Sequence, residues 1–233
     1  MIDVRRAAGR FTTSTEGITS RHSFSFGAHY DPGNVGLAVL VAHNEDVLAP
    51  GHGYDTHPHT DLEIVTWVLE GTLQHRDSRG HAGVLRRGVV QRLSAGSGVL
   101  HSERNDGGTG GRTRFVQMWL RPDESGLEPS YAQQEVAPDR LVPLVSGIPA
   151  LDAAVRLHTS GAALHVARLA PGESVGLPDA PRLHLFVARG SVRLESVGRL
   201  EEGDAVRLGG DASAGGPSVT GSGAAEVLVW QLP

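Results

Sequence analysis

Residues 62–77 read LEIVTWVLEGTLQHRD, two runs of mostly alternating apolar residues that meet at Gly71. Alternation with a period of two residues is typical of a half-buried β-strand, and a glycine between two such runs marks a turn. Residues 186–196, FVARGSVRLES, repeat this pattern when Gly190 is matched with Gly71, at an offset of 119 positions. We therefore expect the chain to contain the same β unit twice.

Short β-type runs separated by glycine also occupy much of the remaining chain, which has 31 glycines and 13 prolines. Turn signals recur roughly every 8–12 residues, the spacing of a sandwich or barrel. The best helical candidate is ALDAAVRL at 150–157, and the polar, proline-containing segment 121–147 is typical of a connector. The pattern predicts an all-β chain of two units, residues 1–135 and 136–233.

The composition excludes several classes of function. The net charge is −5, and without a cluster of basic residues we expect no direct nucleic-acid partner. The absence of cysteine excludes disulfides, thiolate metal sites and cysteine nucleophiles. The start of the chain has no apolar signal-peptide core, and no apolar run approaches the length of a membrane span. We expect a cytoplasmic protein with no membrane association.

Two histidines flank a single proline in DTHPHTDLE, residues 55–63. Side chains two residues apart on a strand point to the same face, so His57 and His59 project together. Pro58 lacks a backbone N–H, which places the pair near the start or edge of a strand. Taken alone, the pair has two interpretations, half of a metal site or a solvent-exposed loop.

A second stretch, SAGSGVLHSERN at 94–105, presents His101 and Glu103, again two residues apart. Two strands that each offer two ligands on one face can converge on one point inside a β-barrel. Three imidazoles and one carboxylate, with no thiolate, suit Fe, Mn, Ni, Cu or Zn rather than Ca or Mg. A six-coordinate ion would keep two open positions, whereas a tetrahedral ion would be fully enclosed by these ligands.

These stretches resemble motifs of the cupin superfamily and, within it, of the pirin family. Two departures from the common cupin pattern match the pirin branch: the closing glycine of the first motif comes late, at Gly71, and Gly96 stands where cupins commonly have proline. The resemblance is strongest over residues 10–135. The pirin-like sequences include RHSFSFGAHYDPGNVG (21–36), HPHTDLE (57–63), SAGSGVLHSE (94–103) and MWLRPDESGLEPSYAQ (118–133).

The resemblance implies a bicupin, in which one chain forms two double-stranded β-helix (jelly-roll) barrels. It also implies one divalent metal in the amino-terminal barrel, with Fe(II) as the first choice and Mn, Ni, Cu or Zn as alternatives. The implied ligands are His57, His59, His101 and Glu103. In many cupins the glutamate of the first motif, here Glu63, binds the metal. In pirin-like proteins the later glutamate takes that place, so we expect Glu63 beside the site.

The second half of the chain lacks the corresponding ligands. The offset of 119 places Gly176, Pro178 and Arg182 at the positions of His57, His59 and Glu63. We therefore expect a metal-free carboxy-terminal barrel. The other amino-terminal histidines lack a suitable partner on the same face and are expected at the surface or next to the site: His22, His29, His52, His75 and His81.

The resemblance leaves more than one function open. Bacterial pirin-like proteins are associated with quercetin 2,3-dioxygenase activity, in which a flavonol binds the metal and dioxygen cleaves its heterocycle. Glu103 or Glu63 would then take the flavonol proton, and the partners would be a flavonol-like substrate and O2. The alternative is a non-enzymatic regulator, a transcriptional coregulator or redox sensor that acts through protein–protein contacts. A third option is a bicupin whose activity has decayed. We expect a monomer in each case, with a protein partner added in the second.

Overall fold

A computed structural model describes residues 1–108, 110–138, 140–209 and 216–233. These residues form β-strands almost throughout, with one short 3-10 helix at Ala7–Gly9, so the all-β prediction is confirmed. Within the described ranges, no helix has the length and apolar character needed to cross a membrane. The helix considered for residues 150–157 was wrong. Val155 instead pairs in parallel with Val145, and eight residues are too few for a helix to be stable without packing.

The strands, numbered in chain order, are β1 (Ile2–Arg5), β2 (Phe11–Thr15), β3 (Ile18–His22), β4 (Leu40–Leu48), β5 (Gly53–His59), β6 (Glu63–Glu70), β7 (Thr72–Asp77), β8 (Ala82–Arg86), β9 (Val89–Ser94), β10 (Val99–Arg104), β11 (Thr113–Leu120), β12 (Ser130–Glu135), β13 (Val142–Ser146), β14 (Val155–Arg156), β15 (Ala163–Leu169), β16 (Ser174–Gly176), β17 (Arg182–Arg189), β18 (Ser191–Leu194), β19 (Gly198–Glu201), β20 (Ala205–Gly209), β21 (Ser218–Gly221) and β22 (Ala225–Leu232).

The chain divides into two compact units, the amino-terminal and carboxy-terminal barrels. The first consists of Phe11–Val136 and Leu157–Thr159, and the second of Met1–Arg10, Ala137–Arg156 and Ser160–Pro233. The predicted boundaries, 1–135 and 136–233, differ from this division at both ends of the first unit. Strand β1 pairs with β20 across about 200 residues of chain, a partnership that sequence periodicity does not encode.

Each barrel has one seven-stranded and one four-stranded sheet. In the amino-terminal barrel the orders are β12-β9-β6-β11-β4-β3-β2 and β5-β10-β7-β8. In the carboxy-terminal barrel they are β1-β20-β17-β22-β15-β13-β14 and β16-β21-β18-β19. The series β9-β6-β11-β4 and β20-β17-β22-β15 correspond, and β17 begins and ends 119 positions after β6. The structure therefore bears out the expected duplication and the bicupin architecture.

Among the described residues, the interior of the amino-terminal barrel holds two apolar clusters with a polar layer between them. On β6 the inward-facing residues are Ile64, Thr66 and Val68, of which Ile64 and Val68 belong to different clusters. Across the sheet, Thr66 pairs with Gln117 of β11, so the two polar side chains share one level. Burial of the flanking apolar side chains stabilises the barrel and takes this level out of water.

The turn at Gly71 admits no side chain. Its φ is +72°, and a β-carbon there would lie 2.5 Å from the carbonyl oxygen of Arg112. Gly80 has a φ of +90°, but a β-carbon there would meet nothing within 4 Å.

We predict that Gly71→Ala lowers the free energy of unfolding at least twice as much as Gly80→Ala. The control substitution pays only for its left-handed backbone, about 1 kcal/mol, whereas Gly71→Ala also forces two main-chain segments apart. Urea denaturation of both variants measures the difference. Equal losses would show that the close approach of Arg112 does not constrain this turn.

Candidate metal centre

The expected ligands lie on two neighbouring strands of the four-stranded sheet, β5 and β10. The antiparallel register sets His57 opposite His101, and His59 opposite Val99. Paired residues share a face of a sheet, and so do residues two apart on one strand. His57, His59, His101 and Glu103 therefore all project into the amino-terminal barrel.

The three imidazoles form a tight cluster. The ring centroids are 4.4 Å apart for His57 and His101, 4.9 Å for His57 and His59, and 5.0 Å for His59 and His101. One nitrogen from each ring lies within 4.8 Å of the other two. Three nitrogens at this separation can contact one ion.

The hydrogen bonds leave these nitrogens free for a ligand role. Nδ1 of His57 lies 2.7 Å from the carbonyl oxygen of Asp55, so it carries the proton and Nε2 keeps its lone pair. Nε2 of His59 and both ring nitrogens of His101 are buried and find no hydrogen-bond partner within the described residues. Buried polar atoms rarely lack a partner, and an ion would satisfy the one nitrogen lone pair that each neutral ring carries.

Burial also keeps two of these imidazoles, His59 and His101, neutral. It lowers the pKa of His59 to about 4 and the pKa of His101 to about 3, and the nearby His57 adds to both shifts. A neutral imidazole is the form that binds a metal. At neutral pH, protons therefore do not compete for these two rings.

Glu103 is 1% exposed, and its carboxylate offers an oxygen within 4.8 Å of a ring nitrogen of His101. Among the described residues, the group formed by His57, His59 and His101 does not itself include Glu103 at that distance. Its Oε2 accepts a hydrogen bond of 2.7 Å from Nε2 of Gln117, while Oε1 has no partner in the part of the chain that the structure describes. Burial raises the pKa of Glu103 to about 7, although the bond from Gln117 opposes the shift. One carboxylate oxygen is thus held by the protein, and the other is available.

Gln117 is a site residue that the sequence analysis missed. Nε1 of Trp119 lies 3.0 Å from Oε1 of Gln117, and an indole N–H can only donate. The amide oxygen must therefore face Trp119, which turns the amide nitrogen toward Glu103. The signal was present in the sequence, since Gln117 is the one polar residue in the apolar run FVQMWL (115–120) and stands two positions before Trp119.

The structure does not bring Glu63 to the histidine cluster. Residue 63 is an odd number of positions from Thr66, so its side chain lies on the opposite face of β6. Its carboxylate accepts a hydrogen bond of 3.1 Å from the backbone N–H of His158 and lies 3.3 Å from Nδ1 of the same residue. The expectation of Glu63 beside the site does not agree with this geometry.

His75 is a second residue that the sequence analysis did not rank as a ligand. It pairs with Glu103 across β7 and β10 and is 1% exposed. Donor atoms of His75, His101 and Glu103 lie within 4.8 Å of one another. The sequence analysis expected His75 either at the surface or next to the site. The residue is buried and lies next to the site. The surface is also wrong for His22, which is buried, while His29, His52 and His81 are partly buried.

The carboxy-terminal barrel has a different set of side chains at the corresponding strands. Gly176 ends β16, which is three residues long where β5 has seven, and Arg182 begins β17. Both groups of metal-type donors found among the described residues lie in the amino-terminal barrel.

The Pirin family model matches residues 2–120, slightly more than half of the chain. The chain belongs to the pirin family. It is 52% identical over 235 residues to the Mycobacterium bovis protein named "Putative quercetin 2,3-dioxygenase Mb0187c", covering 99% of this chain and 95% of the relative. It is 34% identical over 234 residues to quercetin 2,3-dioxygenase of Escherichia coli K12, covering 100% and 99% of the two chains.

Solved structures agree with this assignment. The crystal structure of bacterial pirin YhhW from Escherichia coli in complex with nickel(II) matches with a TM-score of 0.91 and 33% identity, over 100% of this chain and 99% of that one. A quercetin 2,3-dioxygenase structure from Acinetobacter baumannii matches with a TM-score of 0.77 at 21% identity, covering 98% and 84% of the two chains. The second likeness concerns the fold alone.

We predict that Glu103 makes the metal-free pirin less stable as the pH rises. Its pKa is raised from 4.5 to about 7 on folding, so the folded state holds the proton to a higher pH than the unfolded chain. The resulting stabilisation is complete below pH 4.5 and is lost as the pH rises through 7, a change of about 3 kcal/mol at most.

Glu103→Gln removes this titration. Urea denaturation of chelator-treated protein should therefore show Glu103→Gln gaining stability relative to wild type between pH 5 and pH 8. The depressed histidine pKa values act in the opposite direction but are common to both proteins. A stability difference that is the same at both pH values would contradict the prediction.

Proposed function

We propose that this pirin binds one divalent transition metal through His57, His59, His101 and Glu103 and uses it to cleave a quercetin-type flavonol with O2. The observation that carries the proposal is the cluster of three imidazoles at His57, His59 and His101, the last of which also lies next to Glu103. Among the described residues, buried donor atoms of His59, His101 and Glu103 have no hydrogen-bond partner. The names of the relatives support the reaction class, and the nickel(II) complex of YhhW supports an ion in this fold.

The donor set fits the metal. Three imidazoles and one carboxylate favour Fe, Mn, Ni, Cu or Zn, and Fe(II) is the first candidate for oxygen chemistry. When bound, such an ion supplies Lewis acidity toward the flavonol and redox capacity toward O2. We also propose that the protein is cytoplasmic and monomeric. Cell fractionation would test the location, and size-exclusion chromatography would test the monomeric state.

Glu103 is the candidate for the proton-accepting group. A bound cation would keep this buried carboxylate ionised, and an ionised carboxylate can accept a proton. Gln117 donates to Oε2, so Oε1 is the oxygen that would serve the ion and, when it is not in contact with the ion, the flavonol 3-hydroxyl proton. We do not assign this role to Glu63, because its carboxylate is engaged by His158 on the other face of the sheet.

Aromatic side chains next to the cluster suit a planar substrate. Trp119 meets His59 edge to face with ring centroids 4.9 Å apart, and Phe26 meets Trp119 in the same way at 5.2 Å. Both rings are partly exposed. Such rings offer edge and face contacts to a flavonol at little cost in conformational entropy.

The enzyme hypothesis is tested by loading metal-free protein separately with Fe(II), Mn(II), Ni(II), Cu(II) or Zn(II). We expect at least one ion to support coupled O2 uptake and flavonol loss. His57→Ala/His101→Ala should reduce both by at least roughly 100-fold, since even residues that only support metal ligands contribute about 10–100-fold.

His29→Ala is the matched control, because His29 is a partly buried histidine that stacks on Phe11 and belongs to neither donor group. It should keep wild-type activity. Flavonol loss that survives in His57→Ala/His101→Ala would contradict the proposal. A metal-loaded wild-type protein that consumes no flavonol with any ion would favour the non-enzymatic regulator.

We expect substitutions of Glu103 and Glu63 to have different effects on the affinity for metal. Glu103→Gln should weaken binding of Ni(II) at least about tenfold, since a charged ligand is replaced by a neutral amide. Glu63→Gln should leave the Ni(II) affinity within about twofold of wild type, because Glu63 faces away from the cluster. Competition titration with a chromophoric chelator measures both. A larger effect of Glu63→Gln would return that residue to the ligand set.

A further inference from the structure

The metal-type donors of the amino-terminal barrel fall into two overlapping groups rather than one. The outer group is His57, His59 and His101, of which the first two are partly exposed. The inner group is His75, His101 and Glu103, all of them buried. Within each group the donor atoms lie within 4.8 Å of one another, and His101 belongs to both.

His75 has the hydrogen bonding of a metal ligand. Its Nε2 lies 3.2 Å from Oδ2 of Asp77, and a carboxylate oxygen accepts, so Nε2 carries the proton. Nδ1 therefore keeps its lone pair. Metal-binding histidines commonly donate their second ring N–H to a carboxylate, which fixes the ring and raises its basicity.

The donor atoms of the inner group also lack other partners. Nδ1 of His75, both ring nitrogens of His101 and Oε1 of Glu103 are buried, and the described part of the chain offers none of them a hydrogen bond. A buried donor or acceptor without a partner is destabilising, because it loses its hydrogen bonds to water and gains none in exchange. Tyr131, which stacks on His75 at 4.9 Å, accounts for the position of the ring but not for its free nitrogen.

We propose that the inner group is a second, alternative position for the ion, in which His75 is a ligand in place of His57 and His59. Two imidazole nitrogens and one carboxylate oxygen suit the same class of ions as the outer group does. An ion there is enclosed by buried residues, whereas the outer position opens toward the partly exposed histidines. The inference rests on the proposed metal centre and is independent of the oxidation chemistry.

The decisive variant is His57→Ala/His59→Ala, which removes the outer group and leaves the inner group whole. With Cu(II) as the probe, we expect this variant to bind one Cu(II) ion per chain, with a lower affinity than wild type. Pulsed electron paramagnetic resonance should detect two imidazole ligands, from His75 and His101. Adding His75→Ala should reduce the Cu(II) affinity of the double variant at least about tenfold.

The control is His81→Ala in the same double variant. His81 also contacts Asp77, with Nδ1 3.0 Å from Oδ2, but it belongs to neither donor group. It should keep the Cu(II) site of the double variant. His75→Gln serves beside His75→Ala, and thermal denaturation identifies any variant that does not fold.

Two outcomes would overturn the inference. One is a folded His57→Ala/His59→Ala variant that binds no Cu(II) while wild type does; the metal centre would stand and the inner position would not. The other is Cu(II) binding that persists unchanged after His75 is replaced. Neither outcome depends on flavonol turnover, so a failure of the dioxygenase proposal is distinguished from a failure of this one.

Discussion

Antiparallel pairing between β5, β10 and β7 is the constraint on which the centre depends. Because paired residues share a face, the register that sets His57 opposite His101 also sets Glu103 opposite His75. A slip of one residue would turn every one of these side chains to the other face. The pairing of β10 with β5 is irregular between His101 and Glu103, and such irregularities commonly redirect side chains near functional sites.

Desolvation determines the chemistry of these donors. Removal from water disfavours charge of either sign, so the pKa of His101 falls while that of Glu103 rises. Both shifts favour the uncharged forms of His101 and Glu103 in the metal-free protein, and buried donor atoms of both residues have no hydrogen-bond partner among the described residues. The apolar clusters around Ile64 and Val68 supply the stability that tolerates this arrangement. A cation would reverse the balance, since it favours the ionised carboxylate and uses the imidazole lone pairs.

The duplicated scaffold separates the fold from the site. Strands β6 and β17 have the same length and corresponding neighbours, β9 and β11 in one barrel and β20 and β22 in the other. Even so, Arg182 stands in β17 at the position of Glu63 in β6. Turns at Gly71 and Gly190 both have positive φ and a close main-chain neighbour. These common features belong to the barrel, whereas the histidine cluster of β5 and β10 is present in only one of the two copies among the described residues. Function in this family therefore has to be argued from the site and not from the fold.

The sequence by itself determined the β class, the duplication, and the facing of His57 with His59 and of His101 with Glu103. All of these depend on local periodicity or on repeated spacing, which a strand imposes on its own residues. Only the tertiary structure decided that Glu63 turns to His158, 95 positions away, and that His75 and Gln117 flank Glu103. It also placed β1 in the carboxy-terminal barrel. The physical reason is that register between distant strands follows from packing of the whole barrel, and a local pattern carries no record of its partner.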